Sequence, residues 1–373
     1  MIQIESLPPL TIPSGRTASV SLIDTTCTID HIDVHYLVGP PVEGVSKLPC
    51  MPVYSFLVEN LTGRKVLFDL GLRKDRQNLA PFVTASLAKA SFEVNATKDV
   101  PEILAEHGYR VQDIEAIIWS HQHWDHTGDP SCFPDSVKLV VGPGFQKAYM
   151  PGAPARKDSP ISESDYRGKE IVEINFDQQG GTRLSGFKAH DYFEDGSLYL
   201  LDAPGHAVGH IMALVRTTAD PDTFVCLGAD AVHDTGELRP SKYVPVPESI
   251  PFPSHTHMLG GMTACPGVWV EHLQAERGRT PDQSLFVTVH NHSIPDALDT
   301  ISKLQRLDCD SNIFVVYSHD EALKGVLDEF PRTFNRWKQM GWDKQSRWLF
   351  LRHYVPELRA AKSQPGGNGI ERA

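Results

Sequence analysis

Ten consecutive residues constrain this chain more than any others: Ser120-His121-Gln122-His123-Trp124-Asp125-His126-Thr127-Gly128-Asp129. His121, His123, Asp125 and His126 all carry side chains able to hold a metal, and they fall within six positions. The apolar residues 116–119 just before them form a short strand by their composition. At a strand end, His121 and His123 stand two apart and point to one side, so they share one ion. Asp125 and His126 lie just beyond, at a turn or helix start, and reach a second. Imidazole and carboxylate donors bind zinc and similar divalent cations at neutral pH without redox chemistry. A solvated histidine-rich loop explains the cluster poorly, because an apolar strand runs straight into it.

Around this motif the pattern alternates between strands and helices, with no repeat of fixed period. Residues 18–23, 34–38, 53–59 and 65–70 are rich in β-branched and aromatic side chains and are expected as strands. Residues 78–90 are expected as a helix. A second helix is expected over 101–107, with Asp99 and Glu102 spaced for a capping box and Gly108 to close it. Later strands are expected over 138–141, 198–202, 212–215, 223–227 and 313–317. In residues 296–307, Leu298, Ile301, Leu304 and Leu307 recur at helical spacing behind Pro295. Trp337, Trp342 and Trp348 fall in a segment, 334–351, expected to be helical. The expected organisation is an extended arm over 1–15, one domain over 16–360 and a flexible tail over 361–373. Insertions rich in Pro, Gly and polar residues are expected near 145–190 and 239–295.

Composition narrows the function. A net charge of −12 disfavours nucleic acid and anionic membranes as partners. The six cysteines show no CxxC spacing, which excludes a zinc ribbon and leaves reduced, mostly buried thiols as the expectation. The first residues lack a basic segment followed by an apolar run, and no stretch reaches the roughly 20 apolar residues of a membrane span. A cytoplasmic protein is expected.

The HxHxDH pattern after a short strand resembles the signature of the metallo-β-lactamase superfamily. That resemblance implies an α/β fold, an αββα sandwich of two mixed sheets flanked by helices, with a metal centre at one end. It also implies where the remaining ligands lie. Pro204-Gly205-His206 resembles the loop that completes the first site, Gly228-Ala229-Asp230 the bridging aspartate, and Tyr317-Ser318-His319-Asp320 the last histidine. His121, His123 and His206 would then hold one divalent ion and Asp125, His126 and His319 the other, with Asp230 and a hydroxide between them. Zinc is the expected metal. His290 and His292 are rivals for the last position. Asp69 and His210 match positions that support the ligands from behind, although Asp69 serves equally well as a turn former at a strand end.

The carboxylate within HxHxDH resembles the family's lactonases and related cyclic amide hydrolases. True β-lactamases usually carry a cysteine ligand where Asp230 stands, and Cys226, four residues earlier, is expected in the core. The resemblance therefore implies opening of a small cyclic ester or amide: a lactone, γ-lactam or cyclic carbamate. The alternatives are a glyoxalase II-like thioesterase or an iron-dependent oxidoreductase of the same family. Asp125 and Asp230 are expected to shuttle protons. His233 stands where acyl-homoserine lactonases carry a carbonyl-donating tyrosine. Trp124, with Tyr243 and Met258 in the 239–271 insertion, is expected to contact the substrate.

Overall fold

In the computed structural model, residues 10–177, 181–252 and 263–363 are described. Two sheets face each other. The first runs in the order Glu93–Asn95, Ala18–Asp30, Met51–Asn60, Lys65–Phe68, Ala116–Ile118, Lys138–Val141, Ile171–Glu173, antiparallel at its first three joints and parallel at its last three. The second runs Ile313–Val316, Asp222–Leu227, Ile211–Ala219, Leu198–Asp202, Phe187–Asp191, Thr182–Leu184, with only the first joint parallel.

Alternation along the strands builds the layers. In Ile211–Ala219, Ala213 and Val215 point between the sheets and pack with Val20, Phe56 and Ile118 of the first sheet. Met212 and Leu214 point outward and meet Ile301, Leu304 and Leu307 of the helix Ile294–Asp308. On the opposite outer face, Leu57, Leu67, Ile117 and Leu139 meet Val100, Ile103 and Leu104 of the helix Val100–Glu106. These helix–sheet–sheet–helix layers are the expected αββα sandwich. Cys226 lies fully buried in one outer layer, whereas Cys50 and Cys132 are exposed, so the thiols are less uniformly buried than expected.

Some elements differ from the sequence expectation. Residues 34–38 are not one strand: Val34–Leu37 makes a single helical turn, and only Val38–Gly39 is extended. Helical spacing buries Val34 and Leu37 together and leaves Tyr36 half exposed, whereas a strand would put Val34 and Tyr36 on one face. The 145–190 segment is not simply inserted, because Ile171–Glu173, Thr182–Leu184 and Phe187–Asp191 extend the two sheets. Likewise Gly267–Glu276, within 239–295, buries Trp269, Val270 and Leu273 in the central core. Residues 334–351 break into short turns, Trp337–Met340 and Trp342–Ser346, around the left-handed Gly341 at φ +68°. The expected tail begins as helix, Val355–Ser363. The capping box forms as expected: the backbone N–H of Asp99 donates to Glu102 Oε2 at 2.9 Å. Among the described residues, no helix is long and apolar enough to cross a membrane.

The chain beyond the second sheet is tied down by a buried ion pair. Arg239 Nε donates to Asp308 Oδ2 at 2.8 Å, and Arg239 Nη1 donates to the Arg347 carbonyl at 2.6 Å. Burial would push the Asp308 carboxyl up, yet the Arg239 guanidinium holds it below the usual range. Asp308→Ala should leave that guanidinium buried and unpaired, lowering stability by about 3–5 kcal/mol. Urea unfolding of the two proteins measures it.

Candidate metal centre

Every side chain of the sequence cluster and its distant partners emerges from the C-terminal end of a strand. Residues 119–128 follow Ala116–Ile118, His206 follows Leu198–Asp202, Asp230 follows Asp222–Leu227, and His319 follows Ile313–Val316. The first loop is held from several sides. Trp119 Nε1 donates to the Thr127 carbonyl at 3.0 Å, and the Leu70 N–H donates to the His126 carbonyl at 2.9 Å. At Gly128, with φ +52°, a Cβ would come within 2.3 Å of Leu70 Cβ, so only glycine lets the loop lie this close. His123 precedes the helical turn Trp124–Thr127, which carries Asp125 and His126 inward.

Two groups of ligand atoms result: His121, His123, His206 and Asp230 in one, and Asp125, His126, Asp230 and His319 in the other. Asp230 belongs to both, one oxygen to each. Its Oδ2 lies 3.7 Å from His121 Nε2 and 3.5 Å from His206 Nε2. Its Oδ1 lies 3.1 Å from His126 Nε2 and 3.2 Å from His319 Nε2. His206 Nε2 is 2.9 Å from His123 Nδ1 and 3.2 Å from His121 Nε2, and Asp125 Oδ2 is 3.5 Å from His319 Nε2. Donors placed tetrahedrally about 2.0–2.1 Å from one zinc-sized cation stand about 3.3 Å apart. The observed separations bracket that value.

The electrostatics fit cations as well. Burial, reinforced by neighbouring imidazoles, holds His121 and His206 well below the ordinary histidine pKa, and burial pulls His123 down to about 3. These rings are neutral at pH 7, with lone pairs available. Burial likewise depresses His126, but the carboxylates of Asp230, Asp125 and Asp69 outweigh it and hold its pKa well above normal. His126 Nε2 and Asp230 Oδ1 are buried without a hydrogen-bond partner, an arrangement that a bound cation satisfies.

The supporting residues lie directly behind these groups. Asp69 accepts from the Ser120 N–H and hydroxyl, both at 2.7 Å, and lies 2.8 Å from His126 Nδ1. Asp69 itself sits at φ +61°, so it is at once a turn residue and the anchor of His126. His210 Nδ1 donates to the Ala203 carbonyl at 2.9 Å, and its Nε2 accepts from the Asp230 N–H at 3.3 Å. His319 Nδ1 donates to the Pro52 carbonyl at 3.0 Å. Such contacts orient each ring. Gly205, at φ +133°, brings the His206 loop against the helix Ile294–Asp308, where a Cβ would fall 2.3 Å from the Ala297 nitrogen.

A cavity of about 190 Å³ opens over the two groups. Trp124, Asp125 and His233 line it, and His233 Nε2 lies 3.4 Å from Asp230 Oδ2. Burial depresses His233, but its bond to Asp230 raises its pKa above normal. His290 also lines the cavity; His292 does not and instead binds the His206 carbonyl through its N–H at 3.0 Å. Neither competes with His319 for the second group. Tyr243, expected at the substrate, does not line this cavity and lies beneath the Lys242 ammonium, 4.8 Å from its ring centre. Met258 lies outside the described residues. Tyr36, Phe92 and Met51 line the cavity without having been singled out in the sequence. Tyr36 and Met51 sit in runs that resemble any apolar element, and Phe92 carries no motif at all.

The metallo-beta-lactamase superfamily model matches residues 48–256, and the chain belongs to that superfamily. Among curated relatives, gamma-lactamase FDB1 of Fusarium pseudograminearum (strain CS3096) is 39% identical over 368 residues, covering 95% of this chain and 87% of the relative. The metallo-hydrolase mfmC of Annulohypoxylon moriforme is 41% identical over 367 residues, covering 96% and 93%. Among solved structures, a Bacillus thuringiensis AiiA mutant with N-decanoyl-L-homoserine bound at its active site superposes with a TM-score of 0.55 at 16% identity, covering 86% of this chain and 99% of that one. This last likeness is one of fold. The chain is a hydrolase of the superfamily, with a His/Asp cluster suited to divalent metal.

Asp230→Ala removes an atom from both groups and should abolish metal retention; His121→Ala should lose chiefly one site. Elemental analysis after gel filtration in metal-free buffer distinguishes these outcomes from retention at the wild-type level.

Proposed function

We propose that the chain is a dinuclear metal hydrolase that opens a cyclic ester or amide: a lactone, γ-lactam or cyclic carbamate. The observation that carries this reading is Asp230, buried with one oxygen toward each imidazole group on the floor of the cavity. The gamma-lactamase name of one relative and the bound homoserine of a structural neighbour support it. In this reading His121, His123 and His206 hold one ion, Asp125, His126 and His319 the other, and Asp230 both, with zinc the metal that best suits the donors. Two such ions supply an acidified water and Lewis acidity toward the substrate carbonyl.

The protein's own groups do the rest. His233 presents a protonated Nε2 at the cavity edge and donates toward the carbonyl oxygen, stabilising the charge that develops there. Asp125 faces the same space, takes the proton released as water adds to the carbonyl carbon, and returns it to the departing ring oxygen or nitrogen. The C–O or C–N bond of the ring breaks, leaving on one molecule a hydroxyl or amine and an acid group that gives up its proton to solvent. Trp124, Phe92 and Tyr36, which line the same cavity, exclude bulk water from the remainder of the substrate.

A panel of lactones, γ-lactams, cyclic carbamates and thioesters, assayed with metal-replete protein, tests this. Turnover of at least one cyclic compound is expected, with Asp125→Ala lowering kcat by about 100-fold or more. Turnover of thioesters alone would replace the reading with a glyoxalase II-like one. His233→Ala should lower kcat by about 10–100-fold while leaving the metal content unchanged, since His233 belongs to neither ligand group.

A further inference from the structure

The cavity has two unlike sides. The metal-facing side is imidazole and carboxylate; the outer side is a chain of four aromatic rings. His290 stacks on Tyr36, centroids 4.6 Å apart and planes at 29°. Tyr36 meets Phe92 at 6.3 Å, and Phe92 lies nearly parallel to Trp124 at 6.3 Å and 12°. Four distant segments supply these rings, so the wall exists only in the folded chain.

Tyr36 and His290 differ from the other two in how they are carried. Val38–Gly39 pairs with Val287–Thr288, and the Val289 N–H donates to the Leu37 carbonyl at 2.9 Å. One short ribbon therefore bears both residues and fixes one against the other. Tyr36 is 49% exposed although it lines the cavity, so its ring marks the boundary between cavity and solvent. Among the described residues, no Lys or Arg lines the cavity. Among the described residues, no cationic side chain on this side repays the desolvation of a negative charge, whereas a flat, uncharged body meets aromatic faces.

We infer that Tyr36 and His290 are specificity-determining residues: held on one ribbon at the mouth, they clasp the uncharged, ring-bearing part of the substrate and reject anionic ones. This rests on the hydrolase reading for the identity of the site, but it concerns recognition and can be measured without turnover. It places recognition on the 29–37 segment and His290, both of which line the cavity.

The probes are ketones that no hydrolase opens: 1-indanone, cyclopentanone and 3-oxoindane-1-carboxylate, titrated calorimetrically into the metal-replete chain. Wild type should bind 1-indanone about tenfold more tightly than cyclopentanone, which lacks the fused ring. The carboxylate should bind about tenfold more weakly than 1-indanone. Tyr36→Ala and His290→Ala should each weaken 1-indanone about fivefold and leave cyclopentanone unchanged, and Tyr36→Phe should keep the wild-type affinity. Unchanged thermal unfolding and metal content in each variant separate recognition from damage to the fold. The inference is overturned if 1-indanone fails to bind wild type, if the carboxylate binds equally well, or if both alanine variants match wild type. Absence of turnover across the hydrolysis panel, with these affinities as expected, would instead remove the hydrolase reading and leave the clasp standing.

Discussion

A buried carboxylate needs positive partners, and the Asp230 side chain governs this structure for that reason. Burial alone would push its pKa up; His126 and His319 hold it well below the ordinary range. Desolvating an unpaired carboxylate is prohibitive, so the fold must deliver imidazoles to both of its oxygens. It does so by ending strands of two facing sheets at one edge of the sandwich. The supporting contacts then follow: Asp69 on His126, Ala203 and the Asp230 N–H on His210, Pro52 on His319. With His121, His123 and His206 neutral, the site's remaining electrostatic demand is for a cation.

The site divides between rigid and variable parts. Its floor stands on strand ends whose positions are set by backbone pairing and by close packing at Gly128 and Gly205. Its outer wall comes from two single helical turns, the residue before an edge strand, and a loop. A floor of this kind defines the type of reaction a superfamily member performs, while a wall drawn from connecting segments decides which molecules reach it.

The core elements were legible because their patterns are local. Runs of apolar, β-branched and aromatic residues marked the strands, and Ile301, Leu304 and Leu307 marked one helix face, while Leu298, expected with them, stays exposed. Segment 34–38 was misread because strand and single-turn helix share the same residue types; the choice fell to which side chains the fold buries. Within the expected 145–190 insertion, Ile171–Glu173 and Thr182–Leu184 are short edge strands with little apolar signal, and pairing with their neighbours makes them strands.

By itself the sequence picked out the residues that the fold gathers: His121, His123, Asp125 and His126 lie within six positions, and motif resemblance pointed to His206, Asp230 and His319, because side chains able to hold a metal are few residue types. Tertiary structure decided that Asp230 turns one oxygen to each group and that Asp69 both turns the chain and anchors His126. It also decided that Tyr36, Phe92, Trp124 and His290 form one wall. Contacts between rings more than thirty residues apart leave no period or spacing in the chain. They arise only when separate segments are brought together by packing, and no local pattern encodes that distance.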